Sequence, residues 1–186
     1  MMLPQCNKAM KMGNTLPKSS ASPWVIRFAP LVGAGGTVLD VAAGGGRHTH
    51  LFLQRGHQVV AVDRNLDPQA LRGAQCIVAD LEDGSPWPLG ARQFAGIVVT
   101  NYLWRALFPA ILGALAPGGV LIYETFADGN AAYGSPRNPD FLLQRGELLD
   151  HCRGLTIVAY EDGDNGRAVI QRICVVKGPG PIRISP

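Results

Sequence analysis

The stretch from Thr37 to His48 limits most strongly what this chain can fold into. Residues 38–41 form a short apolar run that predicts a buried parallel strand, and glycines 44, 45 and 46 predict a tight turn. A helical pattern over residues 49–55 follows. This order of strand, glycine turn and helix lets an α/β sheet present backbone N–H groups and a positive helix end to a cofactor. We therefore expect the turn to hold a nucleotide-like ligand.

Short apolar runs and helical patterns alternate along the rest of the chain. Further strands are predicted at 58–62, 75–78, 94–100 and 120–125, and helices at 67–72, 103–115 and 147–152. Ser22 and Pro23 predict the start of a helix before the first strand. This alternation favours a parallel sheet with helices on both faces. Two last strands, at 155–160 and 168–176, are separated by a hairpin-type turn at 161–166 and predict an antiparallel pair.

Length and charge narrow the class of protein. The 186 residues are 47% apolar and 17% charged, which predicts one globular domain, and no apolar run is long enough for a membrane helix. Residues 1–21 carry three lysines and no acid, and the chain from Lys177 adds two positive charges. The overall net charge is +3, so residues 22–176 carry a net charge of −2. A negatively charged domain is not what binding to a nucleic-acid duplex requires.

These observations predict a flexible basic segment at 1–21, a folded domain at 22–177 and a flexible tail at 178–186. The four cysteines are scattered, without metal-ligand spacing, so we expect reduced thiols, a cytoplasmic protein and no metal site. An RNA substrate reached through the basic N-terminal segment stays open as an alternative.

Three acidic residues mark the ends of three successive predicted strands: Asp40, Asp63 and Asp80. Ligands of open α/β sheets bind outside the carboxyl ends of the strands, where Asp63 is placed to hold a ribose diol. An Asp at a strand end is also a common turn or cap residue, so each position alone has a second interpretation.

The spacing of the glycines separates two classes of ligand. A dinucleotide fold requires G-x-G-x-x-G, but the frame that starts at Gly44 and Gly46 ends on Thr49. The frame Asp40-x-Ala42-x-Gly44-x-Gly46 instead resembles motif I of the class I S-adenosylmethionine-dependent methyltransferases. Residues 60–63, 79–80, 94–100 and 115–122 are similar to later motifs of that family, so the resemblance covers about residues 37–176. Within the family, residues 123–126 and 138–143 resemble small bacterial enzymes of the tellurite-resistance type.

The resemblance implies a Rossmann-like methyltransferase fold: a three-layer, doubly wound, seven-stranded, mostly parallel sheet with an antiparallel last strand. It also implies S-adenosyl-L-methionine as cofactor. Gly44 and Gly46 would face its methionine part, and Asp40 would orient the loop or receive the amino group through it. Asp63 would bind the ribose hydroxyls, and Asp80 with the Leu81 backbone would meet the adenine. The implied cofactor site comprises Asp40, Ala42, Gly44, Gly46, Asp63, Asp80, Leu81 and Thr100. Two positions depart from the family: Ala42 replaces its first motif glycine, and Ala95 an Asp common before the fourth strand.

The acceptor side is predicted from residues that follow the fourth and fifth strands. Methyl transfer depends on alignment and exclusion of water, so a shaped pocket is expected rather than a catalytic triad. The candidates for catalysis are Asn101, Tyr102 and Arg105, and those for substrate binding are Trp104, Glu124, Phe126, Tyr133 and Arg137. Ordinary packing is the alternative for Tyr102 and Trp104. His48 is expected to cap its helix or lie on the surface.

The hypothesis from the sequence is an enzyme that transfers a methyl group from S-adenosylmethionine to a small molecule in a closed pocket. Nucleic acid and membrane partners are not expected. Two alternatives remain open at this point: a cofactor-binding protein without turnover, and a nicotinamide-dependent oxidoreductase.

Overall fold

In the computed structural model, which describes residues 20–183, seven strands form one sheet. Numbered in chain order, they are β1 Thr37–Val41, β2 Gln58–Asp63, β3 Ala74–Val78, β4 Phe94–Thr100, β5 Leu115–Phe126, β6 Thr156–Asp164 and β7 Val169–Val176. The order across the sheet is β3-β2-β1-β4-β5-β7-β6. β7 runs antiparallel to β5 and β6, whereas the pairs from β3 to β5 are parallel. The predicted mostly parallel sheet with an antiparallel last strand is confirmed.

Within residues 20–183, four α-helices cover the two faces of the sheet: α1 Pro23–Phe28, α2 Arg47–Gln54, α3 Phe108–Gly113 and α4 Glu147–His151. Trp24 of α1 and Phe52 of α2 pack with Val38 on one face, and Phe108 of α3 and Leu148 of α4 pack with Leu39 on the other. Because side chains alternate along a strand, neighbouring residues of β1 supply both cores. The predicted three-layer architecture is confirmed.

The first helix begins as its sequence predicts. The Ser22 hydroxyl accepts a hydrogen bond from the Trp24 backbone N–H at 3.1 Å, and Pro23 occupies the first helical position. Proline is favourable there because its missing N–H would have no partner inside the helix. The helix ends after Phe28, having buried Trp24, Val25 and Phe28 against the sheet.

The helix predicted at 67–72 is not formed. A single turn replaces it, in which the Leu71 N–H bonds to the Asp67 carbonyl and the Asp67 carboxylate accepts from the N–H groups of Gln69 and Ala70. Gly73 follows with φ +96° and leads into β3. The Asp67 side chain satisfies these N–H groups locally. The six residues 67–72 therefore form a turn instead of a helix.

The helix predicted at 103–115 is shorter and divided. A 3₁₀ turn, Arg105–Leu107, precedes α3. Pro109 lacks the N–H that a continuous helix would need at that position, so the regular helix begins only with Phe108. β5 also begins earlier than predicted, because Leu115 already pairs with Phe94 before a bulge that shifts the register to Gly96 and Val120.

The last hairpin is longer than predicted. Glu161 and Asp162 belong to β6 and pair with Arg172 and Gln171 of β7, so the turn moves to residues 165–168. The Asn165 side chain closes it by accepting from the N–H groups of Arg167 and Ala168. Local side-chain bonding therefore sets the turn, whereas the acidic residues before it remain in the strand.

The edges of the predicted domain are only partly covered by the structure. The flexible segment predicted at 1–21 falls almost wholly outside the described residues, as do residues 184–186 of the predicted tail. Within 20–183, no helix has both the length and the apolar character needed to cross a membrane.

The glycine turn after β1 uses left-handed backbone at three positions. Ala42, Gly44 and Gly46 have φ values of +54°, +53° and +74°. A Cβ added at Gly46 would lie 2.0 Å from Leu71 Cδ2, so this glycine is required by packing as well as by conformation. Ala42 has no such freedom, and its left-handed conformation is strained by about 1 to 2 kcal/mol.

Replacing Ala42 with glycine should therefore stabilise the protein. We expect Ala42→Gly to raise the free energy of unfolding by about 0.5 to 1 kcal/mol, because relief of the strain outweighs the extra freedom of the unfolded chain. Urea denaturation would measure it. Ala43→Gly is the matched control: Ala43 is adjacent and buried, without a positive φ, and its replacement should destabilise. A loss of stability in both variants would contradict strain at Ala42.

Candidate functional site

A cleft of about 530 Å³ opens at the carboxyl ends of β1 to β4. β1 pairs in parallel with β2 on one side and with β4 on the other, so the order in which successive strands are added reverses at this point of the sheet. Such a switch point is where open α/β sheets bind ligands. Seven of the predicted site residues line the cleft: Ala42, Gly44, Asp63, Asp80, Leu81, Asn101 and Tyr102.

Five lining residues were not predicted from the sequence: Arg64, Asn65, Ala79, Glu82 and Phe141. The first four lie within two residues of Asp63, Asp80 or Leu81 in the sequence. Extending the predicted site by two residues at each strand end would therefore have found them. Phe141 lies on a short 3₁₀ turn, Pro139–Phe141, within the long loop after β5. No local pattern marks Phe141, because only the tertiary fold brings that loop over the cleft.

Asp63 links β2 to the glycine turn. One carboxylate oxygen accepts from the Gly44 N–H at 2.9 Å, and the other accepts from the Asn65 N–H at 2.9 Å. Each oxygen retains a lone pair, so the carboxylate can still accept hydrogen bonds from a ligand. A Cβ added at Gly44 would meet no atom within 4 Å, so bare backbone faces open space there.

Asp40 lies behind the turn and does not line the cleft. It is 2% exposed, and its Oδ2 accepts from the Thr49 N–H at 2.9 Å and from the Thr49 hydroxyl at 2.7 Å. Burial raises the pKa of the carboxyl to about 6, although both Thr49 bonds act in the opposite direction. This position is consistent with the predicted role of Asp40 in orienting the loop. It is not consistent with direct contact between Asp40 and a ligand in the cleft.

His48 is buried, not at the helix surface as expected. It is 2% exposed, and its Nε2 accepts from the Ser22 N–H at 3.1 Å. Its Nδ1 lies 3.4 Å from the Thr100 hydroxyl, which also accepts from Arg47 at 3.4 Å. Desolvation lowers the pKa of His48 to about 4, and the charge of Arg47 adds to this. Thr100 and Gly46, both predicted cofactor residues, do not line the cleft.

Asn101 and Tyr102 follow β4 and face the cleft. Asn101 is left-handed, with φ +54°, a conformation that asparagine tolerates better than most residues. The Tyr102 hydroxyl is buried and makes no hydrogen bond of ordinary length within residues 20–183, although the Glu82 carboxylate lies close enough to interact with it. Burial raises the pKa of Tyr102, and the negative charge of Glu82 contributes, so this hydroxyl stays protonated and can donate to a ligand.

Arg105, predicted as a catalytic residue, binds the protein itself. Its guanidinium forms a bidentate pair with Glu147 at 2.7 and 3.0 Å and donates to the carbonyls of Asp140 and Leu142 at 2.7 and 2.8 Å. These carbonyls flank Phe141 on either side. Arg105 therefore fixes the loop that carries Phe141 and lies outside the lining of the cleft.

The residues predicted for substrate binding are dispersed. Glu124 bonds to the Ser22 hydroxyl and to Arg172, and the Tyr133 hydroxyl bonds to Asp164. Trp104 is half-buried before the 3₁₀ turn, and Arg137 is exposed. Phe126 alone of this group lines a cavity that adjoins the cleft.

Comparison with known proteins identifies the fold. No protein-family model matches the chain. Ribosomal RNA small subunit methyltransferase H of Gemmatimonas aurantiaca is 33% identical over 122 aligned residues, covering 61% of this chain and 37% of that protein. The chain thus spans little more than a third of the length of this curated relative.

Two solved structures extend the likeness over most of the chain. The 1,6-didemethyltoxoflavin-N1-methyltransferase of Burkholderia thailandensis, with 1,6-didemethyltoxoflavin and S-adenosylhomocysteine bound, superposes with a TM-score of 0.61 at 20% identity, covering 84% of this chain and 76% of that one. TehB from Haemophilus influenzae gives a TM-score of 0.66 at 16% identity, over 82% and 61%. The chain therefore has the fold of the class I S-adenosylmethionine-dependent methyltransferases.

The shifted groups Asp40 and His48 should have opposite effects on stability between pH 4 and 6. From about pH 4 to 6 the folded state keeps a proton on Asp40 that the unfolded chain has released, so rising pH destabilises. From about pH 4 to 6.5 the unfolded chain holds a proton that buried His48 lacks, so rising pH stabilises. Each contribution is about 3 kcal/mol at most.

Single variants should separate the two contributions. Relative to wild type, the free energy of unfolding of Asp40→Asn should increase from pH 4 to 6, and that of His48→Gln should decrease from pH 4 to 6.5. Urea titrations at half-unit pH steps would measure both differences. Difference curves that stay flat for both variants would contradict the assigned shifts.

Loss of the Arg105 contacts should loosen the loop around Phe141. We expect Arg105→Ala to destabilise the protein by about 2 kcal/mol and to speed amide exchange over residues 138–147, because two carbonyls and Glu147 lose their donor. Hydrogen exchange with mass spectrometry would localise the change. Arg153→Ala is the control, since its pair with Asp150 is exposed and should contribute little. Equal exchange in both variants would remove Arg105 from this role.

Proposed function

Given the class I methyltransferase fold, we propose that this protein transfers a methyl group from S-adenosylmethionine to a small-molecule acceptor. The observation that carries the proposal is the pairing of Asp63 with the glycine turn at the switch point of the sheet. It places a carboxylate with spare acceptor capacity beside backbone that no side chain covers. Both features suit a nucleoside with a small charged tail.

The residues of the cleft fit the parts of this cofactor. Asp63 would accept from the ribose hydroxyls, and the open backbone at Gly44 would admit the methionine part. Asp80 holds the Glu82 N–H at 2.9 Å with one carboxylate oxygen, which presents the Leu81 backbone toward the adenine. A cleft of about 530 Å³ lies within the usual range for sites of this kind.

The charge of the lining favours a cationic ligand. Asp63, Asp80 and Glu82 contribute three carboxylates, against the single guanidinium of Arg64. A sulfonium with an α-amino group is attracted to such a surface, whereas the pyrophosphate of a dinucleotide is repelled. Thr49, where a dinucleotide fold has its third glycine, bonds to Asp40. These observations disfavour the nicotinamide-dependent alternative, and absence of an NADH fluorescence change on mixing would test it.

The chemistry asks little of the protein beyond alignment. When bound, the cofactor supplies a methyl group on a sulfonium, which is a good leaving group. Asn101 and Tyr102 follow the carboxyl end of β4 and line the cleft. The Tyr102 hydroxyl would orient the acceptor by donating a hydrogen bond. Phe141 would cover the site and exclude water.

A small-molecule acceptor is favoured over RNA by charge. The Burkholderia thailandensis neighbour carries a small heterocyclic ligand, whereas the Gemmatimonas aurantiaca relative acts on ribosomal RNA. The acidic cleft of this chain would repel a phosphate backbone, and residues 22–176 carry a net negative charge. Binding without turnover is separated from catalysis by transfer of labelled methyl to a product.

Asp63→Asn should weaken cofactor binding about tenfold or more. The amide oxygen can still accept from Gly44, whereas the bond from the Asn65 N–H and the charged acceptor for the ribose hydroxyls are both lost. Calorimetry with S-adenosylhomocysteine would measure the dissociation constant.

Asp67→Asn is the matched control for this variant. Asp67 also accepts from two backbone N–H groups in the turn after β2, but it does not line the cleft. The affinity of Asp67→Asn for S-adenosylhomocysteine should match that of the wild-type protein. Equal affinity in Asp63→Asn and wild type would remove Asp63 from the site, and no binding to the wild-type protein would overturn the proposed function.

A further inference from the structure

A smaller pocket of about 190 Å³ adjoins the cleft. The two cavities share four lining residues: Glu82, Asn101, Tyr102 and Phe141. A molecule in the smaller pocket would therefore lie next to a ligand bound in the cleft, and both would contact these four side chains. We call this cavity the acceptor pocket.

The size and walls of the acceptor pocket suit one ring. An apolar cavity of about 150 Å³ is enough to hold benzene in an engineered protein, so this pocket accommodates a ring with small substituents. Leu103, Phe126 and Pro136 supply apolar walls, and Phe141 is 38% exposed at the mouth. A flat ring would cover these surfaces, whereas an extended chain or a fused polycyclic compound would exceed the space.

The polar groups of the acceptor pocket select against anions. Its lining contains one charged group, the Glu82 carboxylate, and no Lys, Arg or His. Arg64 lines the cleft but not this pocket, and Arg105 is bound to Glu147 and two carbonyls. A carboxylate, phosphate or metalloid oxyanion would enter beside a negative charge with no compensating cation.

The same carboxylate favours nitrogen as the accepting atom. A neutral nitrogen becomes positively charged as its bond to the methyl forms, and a nearby carboxylate with aromatic faces stabilises that charge. A phenolate or thiolate is charged before the reaction and would be repelled by Glu82. The Tyr102 hydroxyl, which lies near Glu82, and the buried Thr125 supply further polar contacts for ring substituents.

We propose that the acceptor pocket binds a single-ring aromatic amine or nitrogen heterocycle and that Glu82 determines this specificity. The inference rests on the proposed methyl transfer. The nitrogen lone pair forms the new N–C bond as the C–S bond breaks, and the electron pair of that bond stays on sulfur as the sulfonium becomes a neutral thioether. A proton on the nitrogen then leaves to the Glu82 carboxylate or to water.

Labelled-methyl transfer to a panel of probes tests the proposal on the full chain. The nitrogen probes are aniline, benzylamine and imidazole; the others are phenol, benzoate, selenite and a short RNA hairpin. We expect N-methylated product, identified by mass, from at least one nitrogen probe, with a kcat/KM at least tenfold above the other probes. Preferred transfer to phenol, an oxyanion or RNA, or transfer to no nitrogen probe, overturns the proposal.

Two variants connect the result to the acceptor pocket. At saturating S-adenosylmethionine, Glu82→Gln should lower kcat/KM for the nitrogen probe 10- to 100-fold while leaving the rate with phenol equal or higher, a pattern that a merely structural role would not produce. Phe126→Trp, which narrows the acceptor pocket without lining the cleft, should raise KM for the probe at least tenfold with unchanged affinity for S-adenosylhomocysteine. Unchanged kinetics in both variants would place the acceptor elsewhere.

The control is Asp83→Asn. Asp83 is next to Glu82, lines neither cavity, and bonds to the Ser85 N–H, so its variant should stay within twofold of wild type. Calorimetry separates the two levels of inference. Tight binding of S-adenosylhomocysteine with no transfer to nitrogen overturns only the acceptor assignment, whereas absence of cofactor binding overturns the function on which it rests.

Discussion

One buried carboxylate joins the sheet to the helix on which the cleft depends. Gly46, the residue before α2, has no side chain to cap the helix, and Asp40 in the middle of β1 accepts from the third helical N–H instead. The bond to the Thr49 hydroxyl strengthens the contact. Because Asp40 and Thr49 are both fixed, the segment between them closes into a loop whose path over the strand ends is determined. Burial opposes ionisation of Asp40, so this anchor reduces stability in return for a defined turn.

The strain in the turn follows from that closure. With both ends held, the chain must reverse within a few residues, and Ala42, Gly44 and Gly46 adopt left-handed backbone to do so. The Gly44 N–H then reaches Asp63, which connects the turn of β1 to the end of β2. Strained backbone of this kind persists where surrounding contacts over-determine it, and it is concentrated at binding sites.

The sequence predicted the sheet, and it predicted that Asp63 and Asp80 lie at the edge where the cleft opens, because both features follow local rules. Alternating apolar runs located every strand. An acidic residue that ends a parallel strand must lie at the carboxyl edge of the sheet, so its position follows from the sequence. The predicted helix at 67–72 failed because Asp67 caps its own turn, and the helix at 103–115 was divided by Pro109. His48 was misjudged because its partners, Ser22 and Thr100, lie 26 and 52 residues away.

The acceptor side was less predictable for a related physical reason. Polar residues after β4 and β5 looked available, but Arg105 and Glu124 bond within the protein. The groups left facing the acceptor pocket come from separate elements: Glu82 after β3, Tyr102 after β4, Phe126 at the end of β5 and Phe141 in the following loop. The glycine turn is tied together by Asp40 and Asp63. The residues of this pocket come from separate elements, and the interaction of Glu82 with Tyr102 links two of them. A substitution at Phe126, which lines this pocket and not the cleft, can therefore alter the pocket without disturbing the contacts that hold the glycine turn.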